Sequence, residues 1–136
     1  VYAIKPLLPA VCGNEGVVQV LETGEEVRDL SPGDWLIPSH PGFGFWRTHI
    51  VRNRDDFIKV PKNIPLISAA TMSINPCTAY RILLDYVDLR PNDVVVQNGA
   101  NSGVGQSVIQ LGQEMKIVTV NIVRNRPSID NLKARL

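Results

Sequence analysis

Two glycines and two arginines, set one strand apart, carry most of the chemistry this sequence offers. Gly103 and Gly105 close the segment Gln97-Asn98-Gly99-Ala100-Asn101-Ser102-Gly103-Val104-Gly105, which follows the apolar run Val94-Val95-Val96. Glycines leave the backbone bare where a strand meets its helix. A pyrophosphate can then approach the N–H groups at the helix start, where the helix dipole favours negative charge. The spacing reads Ala-x-x-Gly-Val-Gly rather than a literal Gly-x-Gly-x-x-Gly, and glycine-rich turns also serve close helix–strand packing alone.

The arginines stand at the end of the next apolar run, in Arg124-Asn125-Arg126. In dinucleotide sites an acidic residue about 20 positions past the glycines holds the ribose 2′-hydroxyl. Two guanidiniums there suit a 2′-phosphate, which they can grip bidentately. NADPH is favoured over NADH. A solvated basic loop would also carry two arginines; their position decides for the phosphate.

Positioning these groups requires a strand at 94–96, a helix over about 106–115 and a second strand at 117–123. The first half of the chain reads differently. Short strand-like runs at 16–21, 35–37, 48–51 and 57–60 are separated by the turn 30–34 and the Pro/Gly loop 41–46, which predicts a compact, barrel-like β unit. The texture changes near Ile67: residues 68–72 favour helix. Asn75-Pro76 reads as an N-cap with proline at the first helical position, opening a helix toward Tyr86. Arg90-Pro91-Asn92-Asp93 is a turn. Pro127-Ser128 opens a last helix with Ile129, Leu132 and Leu136 on one face. Two parallel strands are a small part of a nucleotide fold of about six, and parallel sheets need both faces covered. The sequence is therefore expected to be a piece of a longer protein that exposes apolar surface when alone.

The 136 residues, 44% hydrophobic and 20% charged, describe a globular domain with a real core. A net charge of +1 gives no broad field for nucleic acid or a membrane surface. No apolar run approaches a membrane span, and no signal or transit segment is visible in a chain that begins at Val1. Cys12 and Cys77 suggest a reducing compartment rather than a disulfide framework. No Cys-x-x-Cys occurs, and His40 and His49 lack neighbouring ligands, so no metal site is expected. His40 falls in a loop and His49 in a predicted strand. Arg52-Asn53-Arg54-Asp55-Asp56 reads as a solvated loop.

Three segments resemble one family. They are Leu8-Pro9-Ala10-Val11-Cys12-Gly13-Asn14-Glu15-Gly16, Asn75-Pro76-Cys77-Thr78-Ala79-Tyr80-Arg81, and residues 97–110. All are similar to mitochondrial trans-2-enoyl-CoA reductases (enoyl thioester reductases) of the medium-chain dehydrogenase/reductase superfamily, and the similarity covers essentially the whole chain. Pro32-Gly33-Asp34 recurs through the superfamily and separates nothing. The resemblance implies an α/β fold: part of a GroES-like, β-rich catalytic domain over 1–74, then the N-terminal half of a Rossmann NADPH-binding domain over 75–136, truncated there. It implies NADPH-dependent reduction of trans-2-enoyl thioesters, carried on coenzyme A or acyl carrier protein, in mitochondrial fatty acid synthesis in the matrix. It implies a homodimer when full length, with no nucleic-acid or membrane partner. Residue by residue, it places Tyr2 as the catalytic tyrosine and Asn75, Asn101, Ser102, Gly103, Val104, Arg124, Asn125 and Arg126 at the cofactor. Asn125 stands where an acidic residue is expected, which raises the positive potential. Zinc-dependent relatives carry Gly-His-Glu where this chain has Gly13-Asn14-Glu15, so the resemblance also implies chemistry without a metal.

Such a reduction places hydride on C3 and negative charge on C2 and the thioester oxygen. A phenol, protonated at neutral pH with a pKa of about 10, can donate a hydrogen bond or a proton to that charge. Tyr2 is given this role by the resemblance alone; an isolated tyrosine near a chain start is ordinarily surface or packing. Asn75 has a cap role and a cofactor role open to it. Trp46 and Arg47 could line an acyl channel, but core packing and a surface ion pair are preferred. Tyr80 is explained by helix packing. Two other functions stay in view: a quinone reductase of the same superfamily, and a non-catalytic interaction protein.

Overall fold

The computed structural model describes residues 6–125 and Asp130. Tyr2, Arg126 and the helix predicted after Pro127 lie outside the described residues, Asp130 excepted. The chain divides into two compact units, Val1–Ser73 and Ile74–Leu136.

The first unit is built on a three-stranded antiparallel sheet: β1 (Val18–Gln19), β2 (Trp35–Pro38) and β3 (Phe57–Val60), with β2 in the centre. Leu36 lies opposite Val18 on one side and Lys59 on the other. Successive strand residues point to opposite faces, so the adjacent Leu36 and Ile37 feed two cores. Leu36 packs with Val20, Phe43 and Phe57; Ile37 packs with Val60 and with Ala69 of helix α1 (Leu66–Thr71). The turn before β2 is held by Asp34, whose carboxylate accepts from Ser31 N–H at 2.9 Å and from Lys59 Nζ at 2.6 Å. These donors, Lys59 first, hold the Asp34 carboxyl below the usual aspartate range.

Four expectations for this unit need correction. The run 16–21 contributes only Val18–Gln19 to the sheet. Residues 48–51, with His49, form no strand. Arg47 N–H donates to Phe45 O at 2.7 Å and Arg47 Nε to Gly44 O at 2.6 Å, which curls the backbone just before that run. Trp46 is not in the core but 78% exposed, and Arg47 makes no ion pair among the described residues. The loop instead zips onto the segment before it: Phe45 N–H donates to Gly13 O and Trp46 N–H to Cys12 O, both at 2.9 Å. Gly13 is needed there, with φ +97° and the Trp46 ring 2.5 Å from where a Cβ would stand. The 52–56 stretch is largely exposed, as expected of a solvated loop. Within it Arg54 opens a single 3-10 turn (Arg54–Asp56) and donates from Nε to Asp29 at 2.6 Å.

The second unit is a strand–helix–strand repeat with one helix before it. Helix α2 (Asn75–Asp85) precedes β4 (Val94–Asn98), α3 (Gly103–Glu114) and β5 (Val118–Ile122). β4 and β5 pair in parallel, from Val94 opposite Val118 to Asn98 opposite Ile122. The core is Ala79 and Leu83 of α2, Val108 of α3, and Ile117 just before β5, with Val95 packed against it. The two strands thus cover one face with helices. Val94, Val96, Val118, Val120 and Ile122 lie on the alternate positions and are exposed, Val96 to 63%. No helix among the described residues is long and apolar enough to cross a membrane.

Two helix starts differ from their sequence reading. Asn75 is the first residue inside α2, not its cap, and makes no capping bond. Ile74 is the cap and is already near helical geometry (φ −110°, ψ −69°); its carbonyl accepts from Thr78 N–H at 2.8 Å. The first helical bond therefore closes one residue earlier than Asn-Pro suggests. Helix α3 starts at Gly103, three residues before its predicted start, because Ser102 caps it: Ser102 Oγ accepts from Gly105 N–H at 3.1 Å.

Candidate nucleotide-binding site

The site lies at the carboxyl ends of β4 and β5, where ligands sit in open α/β sheets. Strand β4 ends in Asn98, and Gly99 then takes φ +59°, a left-handed turn that glycine adopts without strain. Ser102 N–H donates back to Gly99 O at 2.9 Å, and Gln106 N–H to Ser102 O at 2.9 Å as α3 begins. Between those bonds, the N–H groups of Gly103 and Val104 have no acceptor among the described residues. Two unpaired amides at the positive end of a helix are what an anion needs.

The two glycines do different work. A Cβ on Gly105 would come within 2.6–2.7 Å of Ala100 Cα, C and O, so Gly105 serves backbone contact between α3 and the turn. For this residue, close packing is the sufficient reason. Gly103 faces Asn75 instead: a Cβ there would stand 2.7 Å from Asn75 Nδ2. Asn75, released from capping, thus brings its carboxamide to the glycine turn.

A cavity of about 510 Å³ opens beside the turn. Asn98, Gly99, Asn101 and Ser102 line one side; Ile122, Val123 and Arg124 line the other. Arg124 is therefore on the same cavity as the glycine turn, and no carboxylate among the described residues lines it. Asn125 follows as an exposed residue, while Arg126, like Tyr2, lies outside the described residues. Val104 is half-buried in the first turn of α3. Tyr80, on α2, is half-exposed.

Sequence reading passed over three contributors. Gly99 and Asn98 shape the cavity, and the Asn-Gly pair was the signal for a turn there. Gln97 was the other. Strand β4 turns polar at Gln97, and Gln97 Nε2 donates to Gly105 O at 3.0 Å and to Asn121 Oδ1 at 2.7 Å.

Among the described residues, no three His, Cys, Asp or Glu side chains come together as metal ligands. Asn14 accepts at Oδ1 from Gly42 N–H at 3.0 Å. Cys12 and Cys77 are exposed free thiols.

A strand, a glycine turn carrying unpaired amides, a helix, and a parallel strand tipped with a cation form one strand–helix–strand unit of the kind from which doubly wound α/β folds are built. The comparison with known proteins narrows this. The chain is 53% identical over 135 residues to the mitochondrial enoyl-[acyl-carrier-protein] reductase of Mus musculus, covering 99% of this chain and 36% of that protein. It matches the mitochondrial 2-enoyl thioester reductase Etr1p/Etr2p heterodimer from Candida tropicalis at a TM-score of 0.87 and 41% identity, over 93% of this chain and 38% of that one. The complex of Etr1p with NADP and crotonyl-CoA gives a TM-score of 0.88, with the same identity and coverage. An NADPH:quinone reductase from Bacillus thuringiensis, so described as putative, matches less closely, with a TM-score of 0.81 and 30% identity over 98% of this chain. No protein-family model matches the chain. In sequence and in fold the chain resembles the enoyl thioester reductases of the medium-chain dehydrogenase/reductase superfamily, and it spans about 36% of the length of its mouse relative.

Proposed function

We propose that this protein holds NADPH in the cavity beside the glycine turn and reduces the 2,3-double bond of trans-2-enoyl thioesters. The observation that carries the reading is the placement of Arg124 on the same cavity as Asn101 and Ser102. A 2′-phosphorylated dinucleotide needs both an amide cradle and a cation within one ligand's span. The N–H groups of Gly103 and Val104 take the pyrophosphate. Arg124, with Asn125 and Arg126 beside it in sequence, takes the 2′-phosphate. Asn75 places its carboxamide at the turn.

The residues fit the cofactor: bare backbone, free amides, a guanidinium and, among the described residues lining the cavity, no competing carboxylate. When bound, NADPH supplies the hydride for C3 of the substrate. The chain's own part in the chemistry falls to Tyr2, which we assign to the charge that develops on the thioester oxygen and C2, as hydrogen-bond or proton donor. The substrate is an enoyl group on coenzyme A or acyl carrier protein. Its setting is fatty acid synthesis in the mitochondrial matrix, and the assembly is a homodimer. The names of the relatives support the reaction and the organelle.

The likeness to a quinone reductase favours one competing reading. The test is NADPH oxidation by the native gene product, with crotonyl-CoA and with a quinone as separate acceptors. Oxidation driven by crotonyl-CoA supports the proposal. Oxidation driven by the quinone alone replaces it, and failure to bind NADPH at all leaves a non-catalytic interaction protein as the reading.

A further inference from the structure

The geometry points to Gln97 as a positioning residue: with Asn121 it ties the glycine turn to the strand that carries Arg124, and so sets the preference for a 2′-phosphorylated cofactor. This rests on the NADPH reading of the site.

Gln97 touches none of the cavity. Its side chain lies instead between the two halves of the site. The carboxamide Nε2 has two hydrogens and two acceptors, Gly105 O at 3.0 Å and Asn121 Oδ1 at 2.7 Å. Both acceptors fix the orientation of the amide, since a carbonyl oxygen turned toward Gly105 O would be repelled. Gly105 is thereby held from both sides: its N–H by Ser102 Oγ and its carbonyl by Gln97. Asn121 is held in turn, because its Nδ2 donates to Thr119 Oγ1 at 3.1 Å and to Thr119 O at 3.3 Å. The chain from Asn121 to Arg124 is only three residues long. The backbone ladder between β4 and β5 ends at Asn98 opposite Ile122. Beyond it, a bond from Ala100 N–H to Ile122 O, at 3.4 Å, is at the long limit. The side-chain bridge is the shorter of these two added links, and it alone reaches the first turn of α3 at Gly105.

An apolar residue at 97 would keep the ladder to β5 but lose the link from Asn121 to the start of α3. Its loss should be felt most by a ligand that touches both halves. NADPH does so; NADH engages the amide cradle and has no phosphate for Arg124.

Calorimetric titration of the native gene product and its variants with NADPH and NADH tests this. In Gln97→Met, NADPH binding is expected to weaken about tenfold, the scale of one lost hydrogen bond with a stranded partner, while NADH binding changes less than threefold. A change that only lowered the folded fraction would weaken both equally. Asn121 is exposed, so Asn121→Leu breaks the same bridge without endangering the fold and should lower the NADPH/NADH ratio likewise. If the unaltered protein prefers NADPH and both Gln97→Met and Asn121→Leu keep that preference, the role of Gln97 is overturned and the NADPH reading stands. If the unaltered protein shows no such preference, the NADPH reading itself fails, and this inference with it.

Discussion

Asn75 Nδ2 stands 2.7 Å from the point a Cβ on Gly103 would occupy. The first turn of α2 and the first turn of α3 therefore meet at a glycine, and the meeting is possible only because that residue has no side chain. Gly103→Ala should push the Asn75 carboxamide aside while leaving the helices in place, since the end of a short side chain yields more easily than backbone. NADPH affinity is expected to fall several-fold with little change in the denaturation midpoint. The double variant Gly103→Ala/Asn75→Ala should bind no worse than Asn75→Ala alone. An additive loss would mean that the two residues act apart.

Gly105→Ala should behave in the opposite way. The added methyl meets the backbone of Ala100, a residue with no exposed surface. Overpacking of this kind costs about 1–3 kcal/mol. The urea midpoint of the second unit should drop accordingly, before any question of binding arises. A stability equal to that of the unaltered protein would remove the packing role given to Gly105.

Arg124→Ala should discriminate between cofactors. A charge-assisted hydrogen bond is worth about 1.5–3 kcal/mol, so NADPH affinity should fall about ten- to a hundredfold and NADH affinity very little. Equal losses for both would show that Arg124 reads something other than a 2′-phosphate.

Tyr2→Phe removes one oxygen. If Tyr2 donates to the developing oxyanion or to C2, turnover with crotonyl-CoA should fall strongly while NADPH binding stays near normal. Turnover that is unchanged removes Tyr2 from the mechanism.

The first unit carries a pH signature. Asp34 accepts from Lys59 and from Ser31 N–H, and a proton must compete with both, so its folded pKa lies below its ordinary value. A carboxyl depressed in the folded state contributes stability above its unfolded pKa of about 3.9 and loses it as pH falls through the depressed value. Asp29 behaves alike through Arg54. In an NMR titration the Asp34 carboxyl should show a midpoint below that of a free aspartate. Lys59→Met should raise the midpoint, and added salt should weaken the effect because the Lys59 side of the pair is exposed. A midpoint that ignores Lys59 would contradict this.

Much of this was legible from residue types. β-Branched runs at 94–96 and 117–123 have one reading when a glycine turn and a helical stretch lie between them, and the structure pairs them in parallel. Local signals failed where two close alternatives compete. Asn-Pro fits either the cap and first residue of a helix or its first and second, and only the backbone of Ile74 decides. Residues 48–51 have strand-like types, but the curl at Arg47 precedes them, and no periodicity records it. Trp46 has the size of a core residue, but its backbone pairs with Cys12 O and its ring lies beside Gly13 and stays 78% exposed. Gln97 had a signal, a polar residue straight after an apolar run, whose meaning depends on a partner two dozen residues away.

The central claim is that one ligand bridges the amide cradle and Arg124. Titrating the isotopically labelled protein with 2′,5′-ADP and following backbone amides together with the Arg124 side chain tests it directly. Gly99, Asn101, Ser102, Gly103, Val104 and Arg124 are expected to shift together, with one saturation curve. Shifts confined to other surfaces, or an Arg124 that saturates separately from the glycine turn, would contradict it.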